Sequence, residues 1–169
     1  MAAALTGTSM MNVRAADMDN ESELSGGSEL DFTNVISVAN LALIHQEGNL
    51  NQVDGRQYGL LNSLSVLQSG HRNILSVVQA GDENSVISRQ QGDANIAGLI
   101  QVGFENSIYL DQLGFGNKAG ITQYGIQNSA SVNEIGFFHD VSIYQSGNGL
   151  HTAVTVKGAS TKTIVTQID

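Results

Sequence analysis

From residue 40 to the end of the chain, apolar and polar positions alternate in runs of about seven residues. Runs of that length with a period of two predict β-strands and are too short for helices. They recur every eleven residues without insertion or deletion. Within a run an Asn, two apolar residues and a Gln share one parity, as in Asn73, Leu75, Val77 and Gln79 or in Asn106, Ile108, Leu110 and Gln112. A strand sends alternate side chains to opposite faces, so these four point inward together. The other parity is mostly polar and includes Asp54, Arg56, Ser63, Ser65, Arg89, Asp111 and Lys118.

Three columns define the repeat. The first is Gln46, Gln57, Gln68, Gln79, Gln90, Gln101, Gln112, Gln123, Glu134, Gln145, Val156 and Gln167. Two residues later stand Gly48, Gly59, Gly70, Gly81, Gly92, Gly103, Gly114, Gly125, Gly136, Gly147 and Gly158. Five after the first column come Asn51, Asn62, Asn73, Asn84, Asn95, Asn106, Asn117 and Asn128, then His139, Leu150 and Thr161. The glycine column predicts a backbone angle closed to other residues, within an arc of about four residues running from Gln to Asn. Ser follows Asn only in alternate units, at Ser63, Ser85, Ser107 and Ser129, so the full repeat is 22 residues: strand, arc, strand, arc. The divisions are 41–62, 63–84, 85–106, 107–128, 129–150 and a partial 151–169.

A strand that buries two apolar side chains cannot fold alone, so the repeats must stack. The expected fold is all-β: a two-sheet parallel β-solenoid (a β-arcade) of six layers, rising about 4.8 Å per layer and about 29 Å tall. Inward amides without partners cost roughly 1–3 kcal/mol each. In a stack each amide lies over another, and donor-to-acceptor ladders along the axis offset that cost when register is strict. This accounts for the absence of insertions. The two ends of such a stack present unpaired strand edges, and an open edge is a template for another chain. With this amide-rich composition, a polymerising, cross-β product is expected.

Composition narrows the function. The chain has 169 residues with 15 Asn and 13 Gln, no Pro, Cys or Trp, and a net charge of −9. No disulfide framework or thiolate metal site is possible, and the acidity argues against nucleic acid as a partner. Residues 1–16 resemble the second half of a signal peptide, cleaved just before Ala16 or Asp17. The apolar part is short and no basic segment precedes it, so a start codon further upstream is expected. Residues 17–39 hold six acidic residues and no Lys or Arg, as expected of a flexible tail.

No catalytic constellation emerges, and neither a cofactor nor a small-molecule substrate is expected. The four His residues (His45, His71, His139, His151) make no metal-ligand spacing. Asp82, Glu83 and Asp93 lack the nonapeptide pattern of a Ca²⁺ solenoid. Asp111 and Asp140 have outward parity, which suits solvated gatekeepers against aggregation. Phe104, Phe115, Phe137 and Phe138 fall in arcs and are expected to cover the edge of the core.

The grammar Ser-x4-Gln-x-Gly-x-x-Asn-x-Ala-x3-Gln, read in Ser107–Gln123, resembles the curlin repeat of bacterial curli fibres, over about residues 40–169. The resemblance implies a secreted structural protein of a Gram-negative cell-surface fimbrium: a functional amyloid acting in biofilm and adhesion, and not an enzyme. It implies partners as well. These are further copies and a major curlin subunit at the end strands, and an outer-membrane export machinery addressed by residues 17–39. Gln-x-Gly in both strands of every repeat, the stretch Asn117–Asn128, and the decay of the motif at Glu134, His139, Leu150, Val156 and Thr161 resemble the minor, nucleating subunit more than the major one. The major subunit and a soluble adhesin solenoid are the alternatives.

Overall fold

The structure is a computed structural model and describes residues 12–15, as backbone, and residues 39–169. The rest of the signal-peptide reading and the acidic segment up to residue 38 lie outside the described residues.

Among the described residues there are thirteen strands: β1 (Asn12–Ala15), β2 (Leu41–Asn49), β3 (Gln52–Tyr58), β4 (Ser63–His71), β5 (Ile74–Asp82), β6 (Ser85–Asp93), β7 (Ile96–Phe104), β8 (Ser107–Phe115), β9 (Lys118–Ile126), β10 (Ser129–Phe137), β11 (Asp140–Asn148), β12 (His151–Ala159) and β13 (Lys162–Ile168). No helix occurs among the described residues. Even-numbered strands form a six-stranded sheet in the order β12-β10-β8-β6-β4-β2, and odd-numbered strands a seven-stranded one in the order β1-β3-β5-β7-β9-β11-β13. Each coil contributes one strand to each sheet. Coils lie 22 residues apart, as in Gln68 beside Gln90 and Gln79 beside Gln101, and all pairing is parallel. The fold is therefore a two-sheet β-solenoid of six turns.

The core is a single narrow seam between the sheets, built from one parity of each strand. It includes Leu64, Leu75, Leu99, Ile108, Leu110, Ile121 and Ile143, each no more than 1% exposed. Where a strand supplies no bulk the facing strand fills in: at Gly55 a methyl group would lie 2.8 Å from a Leu64 Cδ. The sixth coil is thinner, and Val154 and Val165 are only partly buried there.

Two sequence expectations are corrected. Most strands are nine residues long, separated by two, instead of seven and four. The Gln and Gly positions lie inside the strands because pairing to adjacent layers continues through them, as in Gly70 with Gly92. The second correction concerns edges. The outer edge of β3 carries β1, with Asn12 beside Asp54 and Ala15 beside Gln57. β2, β12 and β13 each pair on one side only.

Candidate functional site

The glutamines at the eleven-residue positions form two columns along the axis. In the seven-stranded sheet Gln57 Nε2 donates to Gln79 Oε1, and the chain continues through Gln101, Gln123 and Gln145 to Gln167, at 2.8–3.0 Å per step. In the six-stranded sheet it runs Gln46, Gln68, Gln90, Gln112 and ends on Glu134 Oε2 at 2.6 Å. The interior glutamines of both columns are fully buried. Nine of them (Gln57, Gln68, Gln79, Gln90, Gln101, Gln112, Gln123, Gln145, Gln167) also give Nε2 to the backbone carbonyl sixteen residues earlier, at 3.0–3.3 Å. A carbonyl must receive an N–H, so these bonds fix which end of each amide is nitrogen. Every step therefore points its donor toward the C-terminal end.

The asparagines form two further columns with the opposite direction. The backbone N–H of Asn84 donates to Asn62 Oδ1 at 3.0 Å, and its Nδ2 reaches the Gly103 carbonyl at 3.0 Å. Asn51, Asn73, Asn95 and Asn117 make the equivalent links in the other column, and Asn106 and Asn128 continue the first. Each Asn thus ties one turn to both neighbouring layers. The first column begins at Asn40, whose Oδ1 accepts from Asn62 N–H at 2.9 Å. Asn40 escapes the sequence reading because no earlier Gln-x-Gly marks its unit.

The glycine column lies near the ends of the strands and has positive φ, for example +130° at Gly103 and +115° at Gly92. A Cβ at Gly103 would run into the carbonyl oxygen of Gly125 in the next layer, so two backbones meet there. Gly48, Gly59, Gly70, Gly81, Gly92, Gly114, Gly125 and Gly136 approach the following layer in the same way. Gly147 meets Asp169, and Gly158 meets nothing.

A second left-handed position occurs in every turn, and the sequence carries no signal for it. Leu50, Leu61, Arg72, Glu83, Ala94, Glu105, Gln127, Phe138 and Ser160 have φ of 52–60°, with Gly only at Gly116 and Gly149. Backbone bonds to the preceding layer hold the strained angle, as in Arg72 N–H to the Asn49 carbonyl at 3.0 Å. The residues there range from Ala and Ser to Arg and Phe, so no single type marks the position.

Substitutes enter the columns in the fifth layer. His139 is buried in an asparagine position and copies the amide. Its Nδ1 accepts from Thr161 N–H and its Nε2 lies against the Ile135 carbonyl, both at 3.2 Å, which requires the neutral ring with hydrogen on Nε2. Glu134 takes the glutamine position. Burial is the largest cause raising its carboxyl from 4.5 to about 7; the Gln112 hydrogen bond opposes this and Asp140 adds to it.

Among outward residues, Asp111 departs from the solvated role expected of it. It is 8% exposed and takes two bonds from Arg89 one layer below, at 2.8 and 3.1 Å. That hydrogen bond, then the charge of Asp111, holds the guanidinium above its ordinary value. Opposite charges 22 residues apart were the signal available for this pair. The arc phenylalanines do not cover the core: Phe115 and Phe138 pack edge to face on the surface, centroids 5.3 Å apart, and Phe104 and Phe137 are exposed.

The family model described as the curlin associated repeat matches residues 81–114 and 105–136, the middle third of the chain. No curated protein and no solved structure matches.

Proposed function

We propose that this chain is an extracellular subunit of a curli-type amyloid fibre, and that it is the minor subunit, whose end strands nucleate polymerisation of a major subunit. The observation that carries the reading is the stack itself: coils in strict 22-residue register, threaded by amide columns, ending in strand edges that pair on one side only. Such an edge extends by adding a chain with the same register. The curlin associated repeat across the central coils supports the fibre class. The nucleating role is supported by the difference between the ends. The first layer carries Gln46, Gln57, Asn40 and Asn51, whereas the last has Val156, Leu150 and Thr161 in three of the four column positions. A copy laid end to end on itself sets Val156 against Gln46. A partner with complete columns makes the better match, which favours seeding another chain over growth on itself.

The test adds residues 17–169 at a few per cent to a curlin major subunit and follows thioflavin T fluorescence. Loss of the lag is the expected result. A retained lag with rapid fibre growth by this chain alone assigns it as the bulk fibre subunit. Neither effect leaves a soluble solenoid adhesin and overturns the fibre reading.

A further inference from the structure

Glu134 departs from the glutamine pattern at one atom. At nine glutamines, Nε2 donates to the carbonyl sixteen residues earlier. By the same count the carbonyl corresponding to Glu134 is that of Lys118. Glutamine brings an N–H to that place, whereas a carboxylate brings only lone pairs. Glu134 Oε2 is already engaged by Gln112, while Oε1 is buried without a hydrogen-bond partner. The side chain is fully buried, and the next layer offers Val156, which neither donates nor accepts.

We propose that Glu134 is a proton-operated latch between the fifth and sixth coils. With a proton, its carboxyl supplies the donor that glutamine supplies elsewhere, and β12 and β13 stay docked. Without one, an unpaired charge sits in a dry column, and the sixth coil is released to let water reach it.

The surroundings leave this charge uncompensated. On β8 the column neighbour is neutral Gln112, and Asp111 points outward, paired to Arg89. β9 presents Ala119, Ile121 and Gln123 to the core and Lys118 outward. β11 presents Val141, Ile143 and Gln145 inward and Asp140 outward. β12 presents Val156 inward and His151 and Lys157 outward. The buried titratable neighbour is His139, whose Nδ1 accepts from Thr161 N–H and whose Nε2 lies against the Ile135 carbonyl. Among the described residues, no inward position carries Lys or Arg.

The direction follows from linkage. The closed carboxyl sits at about 7 and the open one at 4.5. Between those values the closed coil holds a proton that the open coil releases. The docking contribution is therefore complete below about 4.5, falls as pH rises to about 7, and is level above.

The experiment is hydrogen exchange across residues 151–169 of the full chain from pH 4 to 8, in wild type and Glu134→Gln. The variant restores the N–H and does not titrate. The ratio of the two opening constants cancels intrinsic exchange and any contribution of His139. It is expected to rise about tenfold per pH unit between about 4.5 and 7, the slope for one proton. A ratio that does not change with pH overturns the latch. So does a Glu134 side-chain carboxyl ¹³C resonance with its midpoint at the ordinary value. His139→Asn in both backgrounds is expected to leave the slope in place; its disappearance would make the histidine the switch and sink the proposal. None of these readings requires fibre growth, so they stand apart from the nucleation test.

Discussion

Through the first four layers the two glutamine columns share one geometry, and in the fifth they part. In the seven-stranded sheet the donor chain passes from Gln123 to Gln145 and on to Gln167. In the six-stranded sheet it stops on a carboxylate that faces Val156. Both columns occupy the same seam and carry the same register, so the difference is chemical. An amide relays because it donates at one end and accepts at the other, whereas a carboxylate can only accept. Glu134 and the Val156 that follows it therefore convert a continuous column into a column with an end, and leave the last coil attached through one relay instead of two. Stacked coils contribute to stability through nearest-neighbour interfaces, so the weaker interface is confined to the fifth–sixth junction.

The comparison can be broken most severely by removing what both columns depend on, the close approach of successive turns. Gly103→Ala adds a Cβ against the backbone of the next layer at a φ of +130°. It is expected to cost about 4 kcal/mol or more, combining backbone strain with a clash that no side-chain rotation relieves. Gly158→Ala meets no atom and is expected to cost only about 1–2 kcal/mol, from φ alone. Denaturant midpoints of the two variants check the contrast, and equal losses would mean that the layer contact is not what selects glycine.

Cutting the intact column is the next largest effect. Gln101→Ala takes from Gln79 Nε2 one of its acceptors (the Ser63 and Asn84 carbonyls remain) and from Gln123 Oε1 its donor, and opens a cavity, for a loss of about 3 kcal/mol. Gln167→Ala at the column's end is expected to cost less than about 1 kcal/mol. If the two losses match, the amides act singly and not as a relay.

Repairing the broken column works the other way. Glu134→Gln is expected to stabilise by up to about 3 kcal/mol at pH 8 and by nearly nothing at pH 4. The sign follows from a folded-state carboxyl raised above its unfolded value, which loses stability as pH rises. Thermal melts at the two pH values give the answer, and a gain that is greater in acid would reverse the assignment.

The smallest effect sharpens the comparison on the outer face. A double-mutant cycle on Arg89 and Asp111 is expected to give a coupling of about 1 kcal/mol that falls with salt, because the carboxylate is covered and held by two bonds. The Arg56–Asp54 pair, half-exposed and joined by one bond, is expected to give almost none.

Much of this molecule is legible without coordinates. A period of eleven with fixed parity determines that Leu75, Val77 and Gln79 share the interior. The 22-residue repeat determines that each coil lies on the last, because one coil cannot bury its own apolar side. The tertiary structure alone decided the rest, and each case has a local reason. The extent of the strands depended on pairing to neighbouring layers, which carries the ladder through a glycine turn that sequence marks as a break. The left-handed angle at Arg72 or Glu105 is held by a bond to the adjacent coil, so no residue type records it. The opposed directions of the Gln and Asn columns were set by which carbonyls and N–H groups stand across the seam. The demand for a proton on Glu134 arose the same way: its sequence shows a near-isostere of glutamine, and only the buried, partnerless Oε1 shows that the missing hydrogen matters.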